Sequence, residues 1–151
     1  MLLMLATRGG PQVISKLIVL PRNVDARGAL IAMSFASELP FVPARCFLVA
    51  DSSPGTTRGH HAHKTCHQAL ICVSGQTLVQ LDDGFQKAEY KLESAHHVLH
   101  IPPMIWGTQT YLATGTVLLV FASDPYDRSD YLSDYEEFAR AARVQRVVHP
   151  L

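Results

Sequence analysis

The sequence predicts an all-β domain, a barrel or sandwich of short strands with one short α-helix at its C-terminal end. Three observations predict it. Apolar and β-branched runs of five to seven residues recur at about ten-residue spacing over 67–73, 77–81, 87–92, 97–101 and 116–122. Turn chemistry separates them: Asp82-Asp83-Gly84 is a strong hairpin signal, and Ser74-Gly75 and Thr114-Gly115 are weaker ones. Helix formers gather only near the end, over residues 129–143.

Taken in order, residues 12–19 mix polar and β-branched side chains ahead of Pro21 and read as a strand at a sheet edge. Asn23-Val-Asp-Ala-Arg-Gly28 reads as a turn by its Asn, Asp and Gly content. Residues 29–35 form the next strand. Pro40 and Pro43 break the stretch after it, residues 45–50 make a third strand, and Asp51-Ser-Ser-Pro-Gly55 loops out. The barrel core then spans about residues 12–123 and the helix about 130–143, with Ser129 or Asp130 as its N-cap. Tyr131, Tyr135, Phe138 and Ala142 recur at helical spacing and form the stripe expected to face the barrel. There is no repeat, low-complexity tract or linker, so residues 1–151 read as a single domain.

Bulk properties exclude some partners. Thirteen basic residues balance thirteen acidic ones with no run of like charge, so no nucleic acid and no membrane surface is expected as a partner. Cys46, Cys66 and Cys72 have neither disulfide-framework nor zinc-knuckle spacing, which fits a reducing, cytoplasmic setting. The apolar opening of six residues ends at Thr7-Arg8, too short for a secretory or membrane-spanning segment.

The chemistry concentrates between Gly55 and Gly75. Side chains two apart on a strand share a face, so His61 and His63 project together. His60 points the other way, and His96, His97 and His149 read as surface residues. The spacing Gly55, five residues, His61-x-His63, four residues, Gln68, six residues, Gly75 resembles the first motif of the cupins, whose fold is a double-stranded β-helix (jelly-roll) barrel. In that motif a metal-binding Glu usually stands where this chain has Gln68. The second cupin motif, Gly, five residues, Pro-x-Gly, two residues, His, falls on residues 96–107. Of it only Pro102 remains: His96 and Met104 replace the glycines, and Gly107 replaces the ligand His. A neutral amide cannot offset a divalent charge, and glycine has no side chain to offer. A third imidazole would have to come from His67 or His100. No metal or other cofactor is therefore expected, and His61 and His63 are free to act as acid and base near neutral pH.

Longer strings carry a closer resemblance. Arg58-Gly-His-His-Ala-His-Lys64, Asp82-Asp-Gly84, Ile101-Pro-Pro-Met-Ile-Trp106 and Tyr126-Asp-Arg-Ser-Asp-Tyr131 together resemble the cupin-type dTDP-4-keto-6-deoxyglucose 3,4-ketoisomerases, over roughly residues 23–140. Asp25-Ala-Arg-Gly28 and Pro40-Phe-Val-Pro-Ala-Arg45 fit as well. The resemblance implies a metal-independent isomerase that takes a dTDP-linked 4-keto-6-deoxy sugar to its 3-keto isomer through an enediol(ate). That step leads towards dideoxy amino sugars of cell-surface polysaccharides. It implies a homodimer exchanging N-terminal strands, here residues 12–19 and 29–35.

By the same resemblance His63 is the main base and His61 its assistant, with the reverse assignment open. Arg58, Arg45 and Arg27 are expected to hold the diphosphate, since a guanidinium grips phosphate oxygens in pairs. Gln68 and His100 are expected to bind substrate, Trp106 either lines the pocket or packs in the core, and Phe47 and Tyr131 are candidates to stack on thymine. A tyrosine often found just after Arg45 is absent, and Ala29 follows the Asp25-x-Arg27 pair closely. Whether the product is the gluco or galacto epimer is left open. Three other readings compete: a non-catalytic cupin that binds a sugar nucleotide, a metal-dependent cupin, and a 3,5-epimerase. Epimerases pair a His with an Asp and a distal Tyr, whereas this sequence offers a His-x-His pair.

Overall fold

The computed structural model describes residues 15–35 and 37–148. Its strands are β1 (Lys16–Val19), β2 (Arg22–Asp25), β3 (Gly28–Ile31), β4 (Arg45–Val49), β5 (Thr57–His63), β6 (Gln68–Ser74), β7 (Thr77–Asp82), β8 (Lys87–Leu92), β9 (His97–Ile101), β10 (Trp106–Tyr111), β11 (Val117–Ala122) and β12 (Tyr131–Leu132). A 3-10 turn (Arg128–Asp130) precedes β12, and one α-helix, α1 (Tyr135–Val148), comes after it. Among these residues, no helix is long and apolar enough to cross a membrane.

Two five-stranded antiparallel sheets face each other, in the orders β1-β9-β6-β11-β4 and β12-β5-β10-β7-β8. Strand alternation sends Leu70, Cys72, Val79, Leu81, Leu99, Tyr111, Leu118 and Val120 into the shared interior. The residues between them in sequence face outward, and both outer faces are covered. Residues 31–41 bring Ile31, Met33, Leu39 and Phe41 onto Ala69, Ile71 and Val98 of the first sheet. Helix α1 lays Phe138 and Ala142 on Ala62 and Leu132 of the second. The core is therefore a two-sheet jelly roll: the strand spacing predicts a barrel or sandwich, and the cupin resemblance implies the jelly roll.

The strands expected at 87–92 and 97–101 are both present. The Asp82-Asp83-Gly84 hairpin joins β7 to β8, with the Asp83 carboxylate accepting from the amides of Phe85 and Gln86. Other boundaries differ. Residues 23–28, expected as a turn only, are most of a hairpin: Asn23 pairs with Leu30 and Asp25 with Gly28. The strand expected to reach residue 35 stops at Ile31. Strand β10 is absent from the sequence-based expectation, because Gly107 and Gln109 on its inward side hide the apolar alternation. The helix begins at Tyr135 and not near residue 130. Asp134 caps it, its carboxylate accepting from the Glu137 amide at 2.8 Å, while Tyr131 and Leu132 are taken by β5 as a short strand. Tyr131 thus leaves the expected helical stripe. The readings of residues 1–6, of 12–14 and of His149 lie outside the described residues.

Candidate active site

The site is built on a β-bulge in β5. Strand β10 pairs Gln109 with Arg58 and Thr108 with Gly59, then Gly107 with His61, so His60 is the extra residue. Gly59 (φ +92°) and His60 (φ +59°) absorb the irregularity. Gly59 is required there on two counts, its left-handed backbone and the Gly107 carbonyl oxygen that would lie 2.6 Å from an added Cβ. The consequence is a shift of parity. Cross-strand partners share a face, so Arg58 stands on the side of Gln109 and His61 on the side of Gly107, the interior for both. Without the extra residue, Arg58 and His61, three apart, would face opposite ways. The bulge aligns Arg58, His61 and His63 along one wall.

His61 and His63 meet edge to face with ring centroids 5.0 Å apart, and Tyr131 packs against both, at 4.8 and 4.4 Å. His63 is only 6% exposed. Its Nδ1 lies 2.8 Å from Asp130 Oδ2, and the other Asp130 oxygen accepts from the amide (2.7 Å) and hydroxyl (2.9 Å) of Thr65. Those two bonds orient the carboxylate, and the carboxylate orients the ring: Nδ1–H donates, leaving a lone pair on Nε2. That Nε2 is buried and has no partner among the described residues. Burial lowers the pKa of His63, against the opposing pull of Asp130, and burial likewise lowers that of His61. Burial pushes the Asp130 carboxyl up, but the bonds from His63 and Thr65 outweigh it and hold it below its ordinary value. The resting state is two neutral imidazoles beside one carboxylate.

His61, His63, Gln68 and Gly107, the four positions at which cupins bind metal, converge on one narrow pocket backed by Ile101 and Ile105. These four residues do not fit a divalent ion: Gln68 offers only an amide and Gly107 nothing. Met104 keeps the left-handed conformation (φ +60°) of the glycine it replaces, and its amide donates to the His63 carbonyl at 2.7 Å. The loop thereby anchors the end of β5.

The other expected site residues divide. Gln68 lies in the pocket, and Arg58 is an exposed residue paired across the strands with Gln109, which lines it. Arg45 is placed with its guanidinium 5.4 Å from the Phe47 ring and 5.5 Å from Tyr126, its Nε buried without a partner, and close enough for its charge to disfavour protonation of His63. Beside it, an open depression of about 520 Å³ is lined by Tyr126, Arg128 and Tyr131, so Tyr131 stands between the depression and the histidines. Within one chain three expected residues lie away from the pocket, Trp106 by taking the core-packing alternative. Trp106 faces outward from β10 and packs on Phe138 and Tyr135, because its neighbour Gly107 takes the inward position. His100 alternates with Leu99 and Ile101 and so faces the outer side of the first sheet, where it stacks on His67 (3.0 Å between Nε2 and Nδ1) and touches Phe41. Arg27 sits in the exposed turn of the β2–β3 hairpin, 90% exposed and ion-paired to Asp25. His67, a candidate for a third inward imidazole, is on the outer side with His100.

Sequence reasoning misses Asp130, Thr65 and Cys66. Asp130 and Tyr131 stand in the Tyr126-to-Tyr131 string but read locally as a helix start and stripe. Nothing local announces that Asp130 pairs with a histidine 67 residues away.

Known proteins share this arrangement of strands. The profile of the FdtA family, described as WxcM-like, C-terminal, matches residues 14–143. A curated relative, TDP-4-oxo-6-deoxy-alpha-D-glucose-3,4-oxoisomerase of Aneurinibacillus thermoaerophilus, is 34% identical over 126 residues, 83% of this chain and 91% of the relative. The solved 3,4-ketoisomerase of Helicobacter canadensis superposes with TM-score 0.84 at 33% identity, covering 87% of this chain and 99% of that one. QdtA, a sugar 3,4-ketoisomerase of Thermoanaerobacterium thermosaccharolyticum solved in complex with TDP, gives TM-score 0.84 at 30% identity over 87% and 96% of the two chains. With its jelly-roll barrel, its paired histidines and its near-full-length match, the chain belongs to the FdtA (WxcM-like, C-terminal) family.

Proposed function

We propose that this chain is a metal-independent 3,4-ketoisomerase of a dTDP-linked 4-keto-6-deoxy sugar, working in the cytoplasm. The reading rests on His63, whose Nε2 lone pair faces the pocket while Asp130 holds Nδ1, with neutral His61 alongside. Moving a ketone between neighbouring carbons needs one base to take the C3 proton and one acid to protonate C4. His63 Nε2 removes the C3 proton, and the electron pair of that C–H bond forms the C3=C4 double bond of an enediolate. Asp130 stabilises the resulting imidazolium. His61 moves the proton between the two oxygens, and protonation of C4 leaves the ketone at C3. In this reading the sugar presents its C3–C4 edge at the mouth of the narrow pocket and the nucleotide lies over the open depression, with Arg45 and Arg58 on the diphosphate and Tyr126 and Tyr131 offering ring faces to the base.

The product enters dideoxy amino sugar synthesis in this reading. The working unit is a homodimer, supported by the exposed β2–β3 hairpin that touches little of its own chain. Arg27 rides in the turn of that hairpin, so its expected contact with the diphosphate depends on the same dimer.

A second reading gains from one observation. The His63–Asp130 pair beside Tyr131 is the combination expected of a 3,5-epimerase. One experiment separates them. Chelator-treated protein is incubated with dTDP-4-keto-6-deoxyglucose in deuterated water and followed by proton NMR, with His63→Asn in parallel. A 3-keto product carrying deuterium at C4, abolished in the variant, is the expected result, and the C4 configuration identifies the epimer. Deuterium at C5 with the ketone still at C4 assigns the epimerase instead, and binding without exchange leaves a non-catalytic module.

A further inference from the structure

The pocket holds a thiol that the isomerisation does not use. Cys66 is 3% exposed and lines the same pocket as His63. Its Sγ is only loosely engaged, 3.4 Å from the His67 carbonyl oxygen it donates to and 3.7 Å from the Ser123 hydroxyl. One ring nitrogen of His63, the Cys66 sulfur and an Asp130 carboxylate oxygen all lie within 4.8 Å of one another. The His63 nitrogen on the Asp130 side is Nδ1, 2.8 Å from Oδ2, and the ring itself is buried. Imidazole, thiolate and carboxylate are the three donor types that zinc takes, and three protein ligands leave its fourth position for water.

We propose that His63, Cys66 and Asp130 form a binding site for a thiophilic divalent cation, zinc foremost, and that occupancy switches the enzyme off. This regulatory half rests on the isomerase reading; the binding half does not. The set differs from the cupin ligand positions, since it uses neither Gln68 nor Gly107 and draws Cys66 and Asp130 from the loop after β5 and the turn before β12. On binding, the Cys66 S–H bond breaks, a sulfur–metal bond forms, and the proton leaves to solvent. No electrons are transferred. A cation held together with Asp130 takes Nδ1 in place of the proton donated there, and the ring proton then sits on Nε2, so the lone pair that takes the C3 proton is lost. Because a proton is released, binding tightens as pH rises.

The test begins with cobalt, which reports its ligands by absorption. Chelator-treated full-length protein is titrated with Co²⁺ and read in the near ultraviolet, where a thiolate–cobalt bond absorbs. One equivalent producing that band is expected, bleached by added Zn²⁺, lost in Cys66→Ser and retained in Cys46→Ser, whose thiol is exposed. Circular dichroism checks that Cys66→Ser folds, and Asp130→Asn, which keeps the thiol, is expected to weaken the band independently. Absence of the band, or a band that survives in Cys66→Ser, overturns the site. In turnover, Zn²⁺ inhibits the wild type, chelator restores it, and Cys66→Ser loses the sensitivity to zinc. Turnover indifferent to zinc while the cobalt band is present overturns the switch. Absence of turnover at every metal concentration refutes the isomerase reading and leaves the cobalt result to stand by itself.

Discussion

On the proposed mechanism the two nitrogens of His63 have different jobs. Asp130 accepts a hydrogen bond from Nδ1–H, which fixes the tautomer and would steady the charge that appears when Nε2 takes a proton. Asp130→Asn keeps the volume but removes that charge and can present a donor to Nδ1. It is expected to lower kcat by a factor on the order of 10²–10⁴ with little change in KM, measured by initial rates of 3-keto product formation. A loss confined to KM would make Asp130 a binding group only. The pH profile is set by burial, the first cause of the lowered pKa of both His61 and His63. A base must be neutral to act, and both rings stay neutral down to below the ordinary histidine value of 6.5. The rate, kcat/KM against pH, is therefore expected to be level through neutrality and to fall only on the acid side, with its midpoint under that value. A midpoint above it would mean that the Asp130 charge outweighs burial.

At the scale of the strand, the bulge at Gly59–His60 is the feature on which the wall of Arg58, His61 and His63 depends. Gly59→Ala places a Cβ 2.6 Å from the Gly107 carbonyl oxygen at a φ of +92°. Backbone strain of this kind costs about 1–3 kcal/mol, to be read as a lowered midpoint of urea unfolding. If the pairing relaxes by expelling the extra residue, Arg58 turns outward and substrate affinity falls further than stability does. An alanine variant with native stability and native KM would show that the bulge positions nothing. Helix α1 acts through the same wall at one remove: Phe138 and Ala142 pack on Ala62 and Leu132, the outward neighbours of the catalytic strand.

For the molecule as a whole, the unfinished part is the β2–β3 hairpin. Residues 21–30 are exposed throughout, and Val24 and Leu30 show 62% and 66% of their surface to solvent. A two-stranded hairpin is marginal in water by itself, and on the proposed dimer a covering partner would supply the contacts that its own chain does not. If that partner is a second copy, Leu30→Asp is expected to convert dimer to monomer at micromolar concentration in light scattering. Dimer unchanged by Leu30→Asp would place the interface elsewhere, and a wild-type monomer would refute the homodimer.

Much of this was legible in the sequence, and the division has a physical basis. Strand alternation is local, so the two-residue period placed His61 and His63 on one face, and the run of short strands and turns specified a barrel or sandwich, which the cupin resemblance narrowed to a jelly roll. Chemical type is local too: an amide at Gln68 and no side chain at Gly107 exclude a cupin metal set wherever those positions lie. Features that depend on pairing at long range were decided only by the tertiary structure. A bulge opposite β10 changed the parity of Arg58, the inward turn of Gly107 sent Trp106 out, and the alternation of β9 carried His100 to the far side of the sheet. Asp130 reached His63 because β5 captured Tyr131 and Leu132 as a strand before the helix could begin. A sequence states the period of a strand and the chemistry of a side chain; which strand lies beside it, and in which register, is settled by packing.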